Sequence, residues 1–232
     1  LKIVLIIFLV LLAIILYKAA DIFIMLRNRE RIKKYWQTNA AASPPKNSIQ
    51  YIVLGDSVGA GVGSSSPRKC YAGLIAASLH VRSGKPVYIV NFCVSGAKTA
   101  DLIRDQLPLF GKVNAANNTV VTLEIGANNV GPDFNNEKFR QEFNQILDAL
   151  PASTIVADVP YFGAGIKRDR EANVEAANEI IHKAITDHKM TLAKIFDQTK
   201  NYGSLRDYAA DFFHPNDRGH KNWSKAFIAA LK

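Results

Sequence analysis

Cysteine is nearly absent from this chain. Its 232 residues hold two, Cys70 and Cys93, too few to define a disulfide framework, so two separate buried thiols are expected rather than a stapled scaffold. No set of His, Cys, Asp and Glu has metal-ligand spacing, and no metal or other cofactor is expected. Gly59, Gly61 and Gly63 with Ser64, Ser65 and Ser66 are not followed by Gly-Lys-Ser/Thr, which excludes a phosphate-binding P-loop. Internal repeats and extended low-complexity segments are missing as well. Acidic residues are outnumbered, 20 against 29 Lys and Arg, for a net charge of +9. That excess is uneven. Residues 1–34 carry seven basic side chains against Asp21 and Glu30. No basic motif interleaved with aromatics occurs further on, so nucleic acid is not an expected partner.

What is abundant is apolar sequence at the N-terminal end. Ile3 to Leu16 is an unbroken apolar run, and Ile22–Leu26 continues it past Lys18 and Asp21. As one helix, Ile3–Leu26 would be roughly 36 Å long at about 1.5 Å per residue, enough to cross a bilayer. Lys18 and Asp21 would then snorkel or pair at an interface. The run shows no amphipathic stripe, which argues against a soluble core helix. Small residues are not spaced for a signal-peptidase site, because Tyr17 and Lys18 precede Ala19-Ala20. No cysteine follows for a lipoprotein anchor. Residues 1–26 are therefore expected to be an uncleaved single-pass transmembrane anchor. The basic residues 27–34 should lie against anionic lipid headgroups as a juxtamembrane helix. Gln37–Ser48, with Ala40-Ala41-Ala42 and Pro44-Pro45, reads as a spacer, so that 27–48 links the anchor to a domain over 49–232. The positive-inside bias favours a cytoplasmic domain, and any segment preceding Leu1 would alter that count.

From Ile49 on, short β-branched runs alternate with helical patterns. Strands are predicted at Tyr51–Leu54, Val87–Asn91, Thr119–Ile125, Thr154–Val159 and Leu192–Phe196. Helices are predicted at Tyr71–Arg82, Thr99–Phe110, Glu137–Leu150, Arg168–His188 and Asp217–Leu231. Near-continuous apolar strands between helices imply a parallel sheet covered on both faces, the Val87–Asn91 and Thr154–Val159 runs fully buried. In such sheets reactive groups gather at the carboxyl ends of the strands.

Polar clusters stand where those strand ends should be: Gly55-Asp56-Ser57, Val94-Ser95-Gly96-Ala97 and Gly126-Ala127-Asn128-Asn129. A fourth, Asp211-Phe212-Phe213-His214-Pro215, precedes the last helix. A serine hydroxyl needs a base to become a nucleophile, and the base needs an orienting carboxylate. His214 can be the base to Ser57, with Asp211 three residues earlier on its other ring nitrogen. The backbone N–H groups of Ser57 and Gly96 and the side-chain amide of Asn128 can receive an oxyanion, with Gly96 allowing close backbone approach.

These four blocks, in this order, resemble the GDSL or SGNH hydrolase superfamily over about Ile49 to Leu231. Gly55-Asp56-Ser57, Gly96, Asn128 and Asp211-Phe212-Phe213-His214 match its motifs, and Pro215 and Gly219 match its C-terminal run. The Gly-x-Ser-x-Gly elbow of α/β-hydrolases is not found around Ser57. The resemblance implies a flavodoxin-like three-layer αβα sandwich on a five-stranded parallel sheet. It also implies a catalytic triad of Ser57, His214 and Asp211. Asn129 departs from the family's usual Asp; it keeps an acceptor, loses the charge and should alter loop ordering. Asp56 is read as a structural carboxylate and Glu124 as a partner for a loop group. Asp101 and Asp105 are expected to face solvent, and His80, His182 and His188 to lie on helix surfaces. His220 has no partner at matching spacing.

The expected activity is serine esterase or acyl hydrolase on a small-molecule or lipid ester, with lipid-like acyl esters favoured by the anchor. The resemblance equally admits O-acetyl removal from carbohydrate or cell-wall polymers, and an extracytoplasmic site. A non-catalytic binding module on the same fold is the reading from another class; loss of a triad member would favour it, and all three are present. The sequence sets neither the acyl group nor the oligomeric state.

Overall fold

The computed structural model describes residues 2–41, 43–113, 118–163 and 167–231. Among them a parallel sheet is built from β1 (Ile49–Gly55), β2 (Val87–Asn91), β3 (Thr119–Glu124), β4 (Ile155–Ala157) and β5 (Thr191–Ala193), in the order β2-β1-β3-β4-β5. Period-2 alternation sends side chains into two cores. Ile52 and Leu54 of β1 and Val156 of β4 join one; Tyr51, Val53, Ile155 and Ala157 join the other. The first core is closed by α5 (Asn136–Asp148) and α6 (Glu171–Asp187), through Phe139, Phe143, Val174 and Ile181. The second is closed by α2 (Tyr71–Ser83) and α8 (Asp217–Ala230), through Tyr71, Ile75, Trp223 and Phe227. This is the αβα sandwich expected. Between β2 and β3 the chain forms α3 (Thr99–Asp101), a π-helical turn (Leu102–Gln106) and α4 (Leu107–Phe110).

Two strands differ from their predicted form. Val87–Asn91 is the sheet edge and only half-buried. In Leu192–Phe196 the strand ends at Ala193, and Ile195 and Phe196 open α7 (Ile195–Tyr202), a helix not predicted. A short apolar run has no periodicity that separates strand from buried helix. What ends the strand is tertiary: the Phe196 N–H donates to buried Asp158 at the tip of β4 (2.8 Å).

The N-terminal helix α1 (Lys2–Ala41) is the larger departure. It contains one candidate membrane span, an apolar stretch of mean hydropathy 2.9. It does not break at a spacer. Nothing between Arg27 and Ala41 interrupts a helix, and the residues before Pro44-Pro45 are where pre-proline sterics disfavour the α region. Gln37–Ala41 is thus helical; Ala42 lies outside the described residues. Residues 18, 21, 25, 28, 32 and 36 lose exposure at helical spacing, so one face of α1 lies on the domain. Ile32 and Trp36 are buried in the second core, and Trp36 Nε1 donates to Ala60 O (3.1 Å). The end of α1 is thus part of the domain rather than a link to it.

Candidate active site

β1 delivers Ser57 to the carboxyl edge of the sheet. At Gly55 a Cβ would stand 2.2 Å from the Glu124 carbonyl oxygen, so only glycine lets β1 leave the sheet so close to β3. From the π-helical turn, buried Gln106 accepts from Gly55 N–H (3.0 Å) and donates to Gly55 O (2.8 Å). That amide pairing fixes the strand end one residue before Asp56, and no sequence motif announces it; an unpaired polar residue in an apolar helical stretch was the available signal. Beyond Ser57 the chain coils into a tight turn, with Val62 N–H donating to Ser57 O (2.9 Å). Asn91 at the end of β2 ties this turn down, donating to Gly59 O (2.8 Å) while accepting from Cys93 N–H (2.9 Å). Ser57 is 4% exposed.

Across from it, the loop before α8 carries Asp211 and His214. The two Asp211 oxygens are used separately. Oδ1 accepts the backbone N–H groups of Phe213 and His214, both at 3.0 Å, and Oδ2 meets His214 Nδ1 at 2.6 Å. His214 Nε2 lies 2.9 Å from Ser57 Oγ. Partial burial pulls the Asp211 carboxyl up, but the three hydrogen bonds from His214 and Phe213 outweigh it and hold its pKa below the usual range. An ionised Asp211 fixes the His214 tautomer with its proton on Nδ1, leaving Nε2 free to accept from Ser57.

Of the three residues read as oxyanion donors, Asn128 is hydrogen-bonded to the chain neighbour of each of the other two, Asp56 and Ala97. Gly96 has φ +83, and a Cβ there would touch nothing within 4 Å. Its glycine is thus required by a left-handed backbone, not by a close approach. Among the described residues neither the Ser57 nor the Gly96 N–H has a protein acceptor. Asn128 is held from both sides: its Nδ2 donates to Asp56 Oδ2 (3.0 Å) and to Ala97 O (3.1 Å).

Asp56, fully buried, also accepts from Val58 N–H (3.0 Å). Beside it is Glu124, which desolvation and the Asp56 charge push well above the normal carboxyl range. Burial raises Asp56 too, against opposing hydrogen bonds from Val58 and Glu124. Asp56 is the acceptor that orients Asn128. Asn129 replaces the lost charge by a relay. Its Oδ1 accepts from Thr99 N–H (3.2 Å), its Nδ2 donates to Thr99 Oγ1 (2.8 Å), and that hydroxyl donates to Glu142. The loop is ordered, with the negative charge one residue further away. Cys70 and Cys93 are free thiols, and among the described residues no metal-holding cluster occurs.

His220 is buried behind the site rather than in it. Its Nδ1 accepts from Tyr71 N–H (3.3 Å) and its Nε2 donates to Val62 O (3.0 Å). Burial pushes its pKa down to about 4 from 6.5. The unfolded chain therefore takes up a proton near 6.5 that the folded chain refuses until about 4. The stability this contributes is complete above the unfolded value and is lost as pH falls through that window, about 3 kcal/mol in all. In His220→Gln the fall in melting temperature between pH 7 and pH 4 is expected to be shallower than in the wild type. Parallel curves would remove this assignment.

The remaining histidines, His80, His182 and His188, make contacts elsewhere, to Lys85 O, Asp158 and Asp148 respectively.

Comparison with known proteins bears on this arrangement. Residues 53–221 match the family described as GDSL-like Lipase/Acylhydrolase. No curated protein matches the chain. Among solved structures, a member of the lipolytic protein G-D-S-L family from Veillonella parvula is similar at 14% identity and TM-score 0.65, over 79% of this chain and 98% of that one. An acetylxylan esterase from Geobacillus stearothermophilus is similar at 14% identity and TM-score 0.61, over 80% and 96%. The lipase/acylhydrolase from Enterococcus faecalis is similar at 16% identity and TM-score 0.61, over 78% and 94%. At such identities the structures speak for the fold, and the family match speaks for the chemistry: the chain belongs to the GDSL-like lipase/acylhydrolase family and is an ester-hydrolysing enzyme.

Proposed function

We propose that the protein is a membrane-anchored serine esterase that cleaves lipid-like acyl esters through Ser57, His214 and Asp211. The observation that carries the chemistry is the continuous line Asp211 Oδ2–His214–Ser57 Oγ, with links of 2.6 and 2.9 Å. His214 Nε2 takes the Ser57 proton as Oγ adds to the ester carbonyl carbon. The charge that develops on the carbonyl oxygen is met by the Ser57 and Gly96 N–H groups and by Asn128, which exchanges its contact with Ala97 O for the oxyanion. Collapse expels the alcohol, which takes the proton from His214. Water then adds to the acyl-enzyme, with His214 again as base, and the acid leaves.

The lipid preference is supported by α1, whose N-terminal part is a candidate membrane span and whose other end is packed against the Ser57 turn. A fluorophosphonate probe is expected to label the full-length protein at one serine, Ser57 by peptide mapping. A series of nitrophenyl esters should then show turnover rising from acetyl to medium and long acyl chains. An acetyl-only profile would favour O-acetyl removal from carbohydrate. Absence of labelling would favour a binding module.

A further inference from the structure

Phe212 sits between Asp211 and His214 and obeys none of the usual rules for an aromatic residue. Its backbone is left-handed (φ 54), a conformation that costs a bulky L side chain free energy. Its ring is 47% exposed, whereas neighbouring Phe213 stacks on Phe162 and packs against the His214 ring. The described contact of the Phe212 ring is with the ammonium of Lys18, 4.7 Å from its centroid. Lys18 is the first charge after the apolar run of α1.

The length of that run sets where Phe212 stands. Between Lys2 and Lys18 the uncharged stretch rises about 22 Å, against about 30 Å of bilayer hydrocarbon. The shortfall, about 8 Å, amounts to some five residues of helix, and tilt only increases it. The span must therefore draw Lys18 and the turn after it to the membrane interface, with Lys18 snorkelling. From residue 18 onward, however, one face of α1 is covered by the domain. Whatever touches α1 at this level enters the headgroup layer with it. What touches it is the loop of the proposed acid and base, across a groove of about 470 Å³ whose lining includes Lys18, Asp21, Ile24, Phe212, Asp217 and Arg218. Its charges balance, Lys18 and Arg218 against Asp21 and Asp217, so what this face offers a headgroup layer is charged and apolar side chains side by side, the mixed polarity of an interface.

We propose that the 208–214 loop rides in the headgroup layer of the bilayer spanned by α1, with Phe212 as its interfacial anchor and the lipid surface as its partner. This rests on α1 being a membrane anchor. It explains why a strained backbone position displays a large apolar ring to the outside. It also places Ser57 where an ester whose acyl chain is still in the membrane can reach it, an advantage that dissolved esters lack.

The test uses the full-length chain in phosphatidylcholine/phosphatidylglycerol vesicles. Trp36 and Trp223 are each 5% exposed, so F212W adds a single reporter at the surface. Its emission is expected to be blue-shifted, and quenched more by lipids brominated near the carbonyl than by those brominated at the chain end. Emission from a water-exposed indole, or stronger quenching from the chain ends, overturns the proposal. Protein that does not float with the vesicles overturns the anchor as well; floating without quenching overturns this proposal alone. Glycine fits the left-handed backbone at position 212 without strain, so F212G removes the ring and keeps the loop. In F212G the ratio of vesicle-ester to dissolved-ester hydrolysis is expected to drop about tenfold, and an unaltered ratio counts against the anchor role of the ring.

Discussion

Ser57→Ala is expected to lower hydrolysis of short-chain nitrophenyl esters by about 10⁴- to 10⁶-fold, because the acyl transfer loses the atom to which the bond forms. The fold should survive. Ser57 Oγ has two polar partners, His214 Nε2 and, at a long 3.5 Å, Asp56 Oδ1. Both keep other hydrogen bonds when the hydroxyl is gone. The loop opposite does not depend on Ser57 either, since Asp211 Oδ1 is held by two backbone N–H groups. A melting temperature close to wild type, with kcat/KM near background, is the expected pair of readings. His214→Ala should cost a similar factor, and the double variant little more, because groups that act as one unit are not additive. Full activity in folded Ser57→Ala would sink the proposed nucleophile and with it the roles given to His214 and Asp211.

How much of this was legible depended on what each residue's signal was. Ser57, Gly96, Asn128, Asp211 and His214 stand out in the sequence by residue type, the first three after predicted strands and the last two before the final helix. The fold then brings to hydrogen-bond distance three of them, Ser57, His214 and Asp211, although 157 residues separate the first two. The alternation of strands and helices was equally readable, since burial on both faces leaves continuous apolar runs. Gln106, Asn91 and the buried pair of Asp56 and Glu124 were harder. Their role is to satisfy backbone or carboxyl groups of another element, and which element that is depends on sheet order. The strand at 192–196 failed for a related reason: only contact with Asp158 decides where β5 stops. Asn129 was read correctly as a lost charge but not as a relay, because Glu142 lies on a helix that comes near only in the fold.

The spacer was the most consequential misreading, and it changes what a soluble enzyme should contain. Composition marked 37–48 as linker, which suggests starting a soluble fragment near Asn47. Such a fragment lacks Ile32, at 0% exposure, and Trp36, at 5%. It also lacks the donors from Trp36 Nε1 to Ala60 O and from Arg31 to Ser65 O. Burying each of the two side chains contributes roughly 1.5–3 kcal/mol, and a neutral hydrogen bond about 1 kcal/mol. A chain of residues 47–232 is therefore expected to be less stable than one of residues 27–232 by about 4–7 kcal/mol, against a typical total of about 5–15 kcal/mol. Urea titration of the two fragments measures the difference, and equal midpoints would mean that α1 adds nothing to the domain. The loss would not be spread evenly. Ile32 packs on Gly61 and Cys70, Trp36 holds Ala60, and Arg31 holds Ser65, which in turn is bound to Asp217 at the start of α8 by two hydrogen bonds of 2.7 Å. Apart from Cys70, which caps α2, these contacts fall on the segment after Ser57 or on the helix after His214. Ester hydrolysis by 47–232 should accordingly fall further than its folded fraction does, while 27–232 retains the turnover of the full chain on dissolved esters.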